Sequence, residues 1–345
     1  MTRSRSSRAR TQRPADEERL RRQSYLRRAP RGVGAWHAWQ LTGGNGAGVK
    51  FIDVERGWTL DHDDLIAKRV RRLHGRITDS HRWHGTAVLG VVCAGGLKTR
   101  CIGIAPGVTS VGVVAHCGSL PSAARAIVVA TSRLGFGDVL LVEGEIGGRL
   151  PVETNRACFE AIRAATEAGI VVVEPAGNGG VDLDRVRGMA RDSGAILVGA
   201  GSSSRRHRRL PFSNHGRRVD CFAWGEMVYT AISDEHGATD EYTEAFHGTS
   251  SAAAIVAGVS LCVQGMALAA HGSPYSPHEL RDIFKDPANG TRSIRPGKDR
   301  IGAMPDLGSI SRLVPRVLPG ATRPTSNRIR ANSCSATRVT FARRG

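Results

Sequence analysis

Apolar residues in this chain fall in short continuous runs, separated by longer stretches in which they recur at helical spacing. Residues 49–54 read Val-Lys-Phe-Ile-Asp-Val, 111–114 Val-Gly-Val-Val, 138–142 Asp-Val-Leu-Leu-Val, 170–174 Ile-Val-Val-Val-Glu and 196–200 Ile-Leu-Val-Gly-Ala. Runs this short, rich in β-branched residues and bounded by glycine or proline, predict strands buried on both faces. Residues 122–132 and 152–168 lie between such runs and predict helices. Strands alternating with helices predict an α/β fold: a doubly wound, mainly parallel sheet with helices on both faces. Residues 202–247 break the alternation with short strands and turns, and lead into an apolar, small-residued helix around 252–258. A surface helix is expected over 278–284 after Ser276-Pro277, and 301–307 closes the body.

Charge changes the picture at the two ends. The net charge is +18 over 345 residues, but residues 1–31 carry eleven Arg against three acids, and 312–345 carry eight Arg and no acid. The intervening body, 32–311, is therefore close to neutral, flanked by a basic N-terminal arm (1–31) and a basic C-terminal tail (312–345). Both ends read as solvated and disordered, with a short helix around 16–28 and an edge strand at 338–341 as exceptions. Nucleic-acid contact through these arms is a weaker alternative, because interleaved aromatics are few.

Seven cysteines, an odd number without a Cys-x-x-Cys pair, read as reduced core fillers and not as a zinc site. No apolar run is expected to reach the length of a membrane span. Arg21-Arg22 is followed by further arginines where an export signal needs an apolar region, so cytoplasmic residence is favoured over secretion. The Gly-rich 43–48 stretch precedes its strand and lacks the spacing of a dinucleotide loop.

Four side chains carry candidate chemistry. Ser250, in Gly248-Thr249-Ser250, opens the small-residued helix, where free N–H groups and the positive dipole end favour a developing oxyanion. His84 opens another apolar helix, Asp53 stands at the end of the first predicted strand, and Asn178 follows the fourth. Histidine has the intrinsic pKa to take a serine proton, and a carboxylate can hold its imidazole in the productive tautomer.

Several blocks, in order, carry a family resemblance. They are Asp53, His62-Asp63-Asp64-Leu65, His84-Gly85-Thr86, Gly103 to Gly107, Asn178, Ser213 to Gly225, and Gly248-Thr249-Ser250-Ser251-Ala252. Over residues 36–307 the chain resembles the subtilisin-like serine proteases, or subtilases. The resemblance implies a monomeric endopeptidase acting on peptide or protein substrates, with Asp53, His84 and Ser250 as triad and Asn178 as oxyanion donor. It implies no cofactor for the chemistry. Structural calcium is frequent in the family; no ligand motif matches here, and Asp182/Asp184 and the 61–64 stretch are the candidates.

Three departures stand out. Val54-Glu55 follows Asp53 where the family has a small residue and glycine, Ala254 replaces a proline, and Val142-Glu143-Gly144-Glu145 replaces the Ser-Leu-Gly-Gly wall of the specificity pocket. Glu143, Gly144 and Glu145 are thus candidate substrate contacts that favour basic side chains, with solvation or pairing to Arg149 as the alternative. The first departure motivates a second reading, a catalytically degenerate subtilase-like protein that binds peptides without cutting them.

Overall fold

The computed structural model describes residues 21–95, 100–147 and 149–314. Its strands are β1 (Lys50–Glu55), β2 (Arg71–His74), β3 (Ser110–Ala115), β4 (Val139–Val142), β5 (Glu145–Ile146), β6 (Leu150–Pro151) and β7 (Val171–Pro175). There follow β8 (Ile196–Gly201), β9 (Cys221–Trp224), β10 (Val228–Ile232), β11 (Glu241–Phe246), β12 (Gly290–Arg292) and β13 (Ala303–Pro305). The main helices are α1 (Arg82–Cys93), α2 (Leu120–Thr131), α3 (Arg156–Glu167), α4 (Thr249–His271) and α5 (Pro277–Lys285).

Nine strands form one sheet in the order β12-β13-β9-β8-β7-β4-β1-β3-β2. Every pairing in it is parallel except that of β12 with β13. The doubly wound expectation holds. From β1 the chain builds outward through β2 and β3 on one side and then from β4 on the other, so the order reverses between β1 and β4. That reversal opens a crevice at the carboxyl ends of the two strands, the usual place for a site in such sheets.

Side-chain alternation in β1 divides the core. Phe51 packs into the cluster built with α1 and α4, whereas Ile52 and Val54 pack with α2 and α3 on the opposite face. Odd-numbered positions of β1 therefore point toward the Ser250 helix. Burying one such phenylalanine or valine contributes about 1.5–3 kcal/mol.

Three expectations are corrected. First, α4 runs for 23 residues and is long and apolar enough to cross a membrane by composition. It is instead the central core helix, buried continuously from Thr249 to Ala267, because Ala, Gly and Ser let neighbouring elements approach on all sides. Second, residues 21–31 belong to the body. Tyr25 and Leu26 are fully buried, Gln23 donates to Ile102 O at 2.8 Å, and Trp224 Nε1 donates to Arg31 O at 2.8 Å. Two apolar anchors and satisfied main-chain groups outweigh the arginines around them. Third, the first strand ends at Glu55, not Val54. Residues 1–20 and 315–345, including the expected edge strand at 338–341 and Cys334, lie outside the described residues.

Candidate active site

The corrected end of β1 decides which acid meets the histidine. Asp53 and Glu55 are two residues apart and so point to the same face. Asp53 sits one pleat deeper, fully buried, where Trp58 Nε1 donates to its Oδ2 at 2.7 Å and Oδ1 has no partner. Burial, and secondarily the charge of Glu55, hold its carboxyl well above the usual range. Glu55 stands at the strand mouth, and its Oε2 is hydrogen-bonded to His84 Nδ1. Its Oε1 accepts the Arg56 N–H at 2.8 Å. Burial would raise its pKa, but His84 and these hydrogen bonds bring it below the normal value. Asp53 is thus not the partner of His84; Glu55 is. The signal was present in Glu55-Arg56-Gly57, an acid followed after one residue by glycine, which is the pattern the reading sought after Asp53.

His84 lies in the first turn of α1, and Gly85 brings it close to the β1 loop. A Cβ at Gly85 would stand 2.3 Å from Gly57 O and 2.5 Å from the Trp58 ring, so only glycine allows this approach. The imidazole is held edge-on between Trp83 and Phe246, with centroids at 5.1 and 5.7 Å. Burial alone would depress its pKa; the Glu55 carboxylate, helped by Glu143 and Asp53, overrides burial and pushes it up to about 9.

Ser250 is the second residue of α4, in a segment whose entry needs Gly248 at φ +103°. Thr249 connects it to the loop after β7. Its N–H donates to Asn178 Oδ1 at 2.8 Å, and its Oγ1 accepts the Gly177 N–H at 3.1 Å. With its oxygen so engaged, Asn178 turns its Nδ2 donor into the cleft, where it bonds Glu145 Oε1. One cleft of about 650 Å³ is lined by Glu55, His84, Asn178 and Ser250, together with Glu143, Gly144 and Glu145. No hydrogen bond joins Ser250 to His84 in this arrangement; such contacts commonly tighten only around substrate.

Three of the candidate calcium ligands are engaged within the chain. Asp182 and Asp184 are ion-paired with Arg300, and Asp184 also with Arg217, while Asp64 accepts the Cys101 N–H at 2.8 Å. Among the described residues no group of three or more His, Cys, Asp or Glu could hold a metal. Five of the six described cysteines are buried, and Cys117 is exposed.

Comparison with known proteins follows the same outline. The sequence profile of the Subtilase family matches residues 71–302, which include His84, Asn178 and Ser250 but begin beyond β1 and both of its acids. Alkaline elastase YaB of Bacillus sp. (strain YaB) is 29% identical over 231 residues, 65% of this chain and 56% of that protein. Subtilisin DY of Bacillus licheniformis is 29% identical over 229 residues, 65% of this chain and 79% of that protein. The chain thus spans little more than half the length of the first of these relatives. Among solved structures, proteases from Pseudoalteromonas arctica superpose with a TM-score of 0.67 at 21% identity, covering 85% of this chain and 98% of theirs.

Proposed function

The chain belongs to the subtilase family, and on that premise we propose that it is a serine endopeptidase whose triad acid is Glu55. Ser250 Oγ attacks the scissile carbonyl carbon while His84 Nε2 takes its proton. Glu55 keeps the Nδ1 proton in place and stabilises the imidazolium that forms. The tetrahedral oxyanion is met by the Ser250 N–H at the start of α4 and by Asn178 Nδ2. His84 then protonates the departing amine nitrogen, leaving an acyl ester on Ser250. Water, deprotonated by the same imidazole, hydrolyses that ester. Peptides or proteins are the substrates this chemistry calls for.

The observation that carries the reading is the pairing of His84 Nδ1 with Glu55 across a cleft that also receives Ser250 and Asn178. A glutamate is one methylene longer than an aspartate, and it reaches the ring from the strand mouth. The peptide-binding relic was motivated by Val54-Glu55 beside Asp53, and that motive lapses once Glu55 is the acid. Glu145 is the local obstacle: its carboxylate holds the oxyanion donor of Asn178 and must yield to substrate.

The test is fluorophosphonate labelling beside hydrolysis of a casein substrate. Labelling at Ser250, absent in Ser250→Ala and strongly slowed in Glu55→Gln, is the expected result. Labelling that survives Glu55→Gln unchanged but fails in Asp53→Asn would overturn the assignment.

A further inference from the structure

Glu143 differs from every other buried acid among the described residues. Asp53, Glu55, Asp64, Asp138, Glu153, Glu174, Asp220 and Asp299 each have a hydrogen bond or an ion pair. Glu143 is 2% exposed, and its carboxyl oxygens make no well-formed hydrogen bond or ion pair; the groups that act on it are the Ser250 hydroxyl and the His84 ring. An unpaired buried carboxyl costs several kcal/mol unless something supplies what is missing.

Its position says where the missing group comes from. Val142 is paired with Val54, and the Glu143 N–H donates to Val54 O at 3.0 Å, so β4 carries Glu143 alongside Glu55 at the switch-point crevice. Period-two alternation sends both side chains toward α4, since Leu141 packs in the α1/α4 cluster and Val142 in the other. Glu143 therefore lines the same cleft as Ser250.

We propose that Glu143 selects a cationic group on the substrate, an arginine or lysine side chain next to the scissile bond, so that this chain cuts beside basic residues. The inference rests on the reading of Ser250 as nucleophile. A guanidinium satisfies both oxygens at once and supplies the opposite charge, whereas a neutral amide donor leaves one oxygen bare. No arginine or lysine among the described residues pairs with it. His84 commits its Nδ1 to Glu55, and Arg56 and Arg149, which also line the cleft, form no ion pair with Glu143. Burial holds the empty carboxyl well above its usual range, against the opposing pull of His84 and Ser250 and with the charges of Glu55 and Asp53.

The experiment uses one acylated peptide anilide ending in arginine, lysine, citrulline or norleucine. It compares kcat/KM in the unmodified chain, Glu143→Gln and Glu143→Ser. Arginine should exceed its neutral isostere citrulline by roughly 10- to 100-fold, as a desolvated charge-assisted pair does, and the ratio should collapse to near unity in both variants. Binding of the corresponding peptide amides to Ser250→Ala, with and without Glu143→Gln, reads the preference without turnover. Preference in binding without any turnover in the unmodified chain would sink the nucleophile assignment and leave this one standing. Turnover with equal rates for arginine and citrulline would overturn it. So would a Glu143→Gln variant that shifts the pH profile for all substrates alike while keeping the ratio, since Glu143 would then act through His84.

Discussion

Two clusters of buried acids lie in this molecule, and they are arranged on opposite principles. Around Arg218, which is 7% exposed, every acid meets a built-in cation or hydrogen-bond donor. Arg218 Nη1 donates to Asp220 Oδ2 and Nη2 to Glu153 Oε2, each at 3.0 Å, and Arg281 Nε pairs with Asp220 Oδ1 at 3.0 Å. In the cleft, Glu55 meets a group that can lose its charge, Asp53 meets an indole N–H, and Glu143 faces the Ser250 hydroxyl and His84 without an ion pair. Permanent guanidinium partners turn carboxylates into fixed struts, and a titratable or absent partner leaves them free for proton transfer and ligands. Burial of acids is common to both regions; the identity of the partner separates structure from chemistry.

The sharpest test of that contrast lies within β1. Glu55→Gln should lower kcat by roughly 10⁴-fold, as loss of the orienting carboxylate does in serine proteases, with the fold retained. Asp53→Asn keeps an acceptor for Trp58 and should cost less than about tenfold in the same assay. Equal losses from the two would erase the distinction between a working and a buried acid.

Next in size is the Arg218 cluster. Arg218→Met strips Glu153 of its cation, while Asp220 keeps Arg281, and should lower the unfolding free energy by about 3–5 kcal/mol in urea titrations. Turnover per folded molecule should hold, and a matching loss of kcat would mean the two regions are coupled.

The pH profile comes third. His84 must be neutral to act as base, so kcat/KM should rise with pH to a plateau above about 9, and the midpoint should fall when Glu55→Gln removes the charge that raises it. The sign for stability is opposite. The folded state holds the imidazolium more tightly than the unfolded chain, so this contribution is full below about 6.5 and is lost as pH rises through about 9. A profile with its midpoint near 6.5 would show that Glu55 does not act on the ring.

The smallest effect belongs to Glu145. Glu145→Ala frees Asn178 Nδ2 and should raise kcat/KM on a neutral peptide by about threefold, the size of one modest hydrogen bond. A fall would make Glu145 a substrate contact and not an obstacle.

Much of the site was legible before any coordinates. His84, Asn178 and Ser250 each sit in a local block whose neighbours prepare them: Gly85 for close approach, Gly177 for the turn, Gly248 for entry to α4. Such information lies within a few residues of the functional group, and periodicity alone predicts the alternation that puts all three at one sheet edge. The N-terminal residues 21–31 were less legible, because arginine-rich composition masks Gln23 and Tyr25, whose partners, Ile102 and Tyr229, are distant in sequence.

The sequence by itself determined the layered α/β fold and singled out the serine, the histidine and the asparagine as candidates, since short-range pattern and turn chemistry are local properties of the chain. Only the tertiary structure decided which acid serves the histidine. Asp53 and Glu55 share a strand and a face, and their roles part only through depth: one lies under the indole of Trp58, the other at the mouth against His84. The lack of an ion pair at buried Glu143 is likewise a property of space, because it exists only once every other element has taken its place around it.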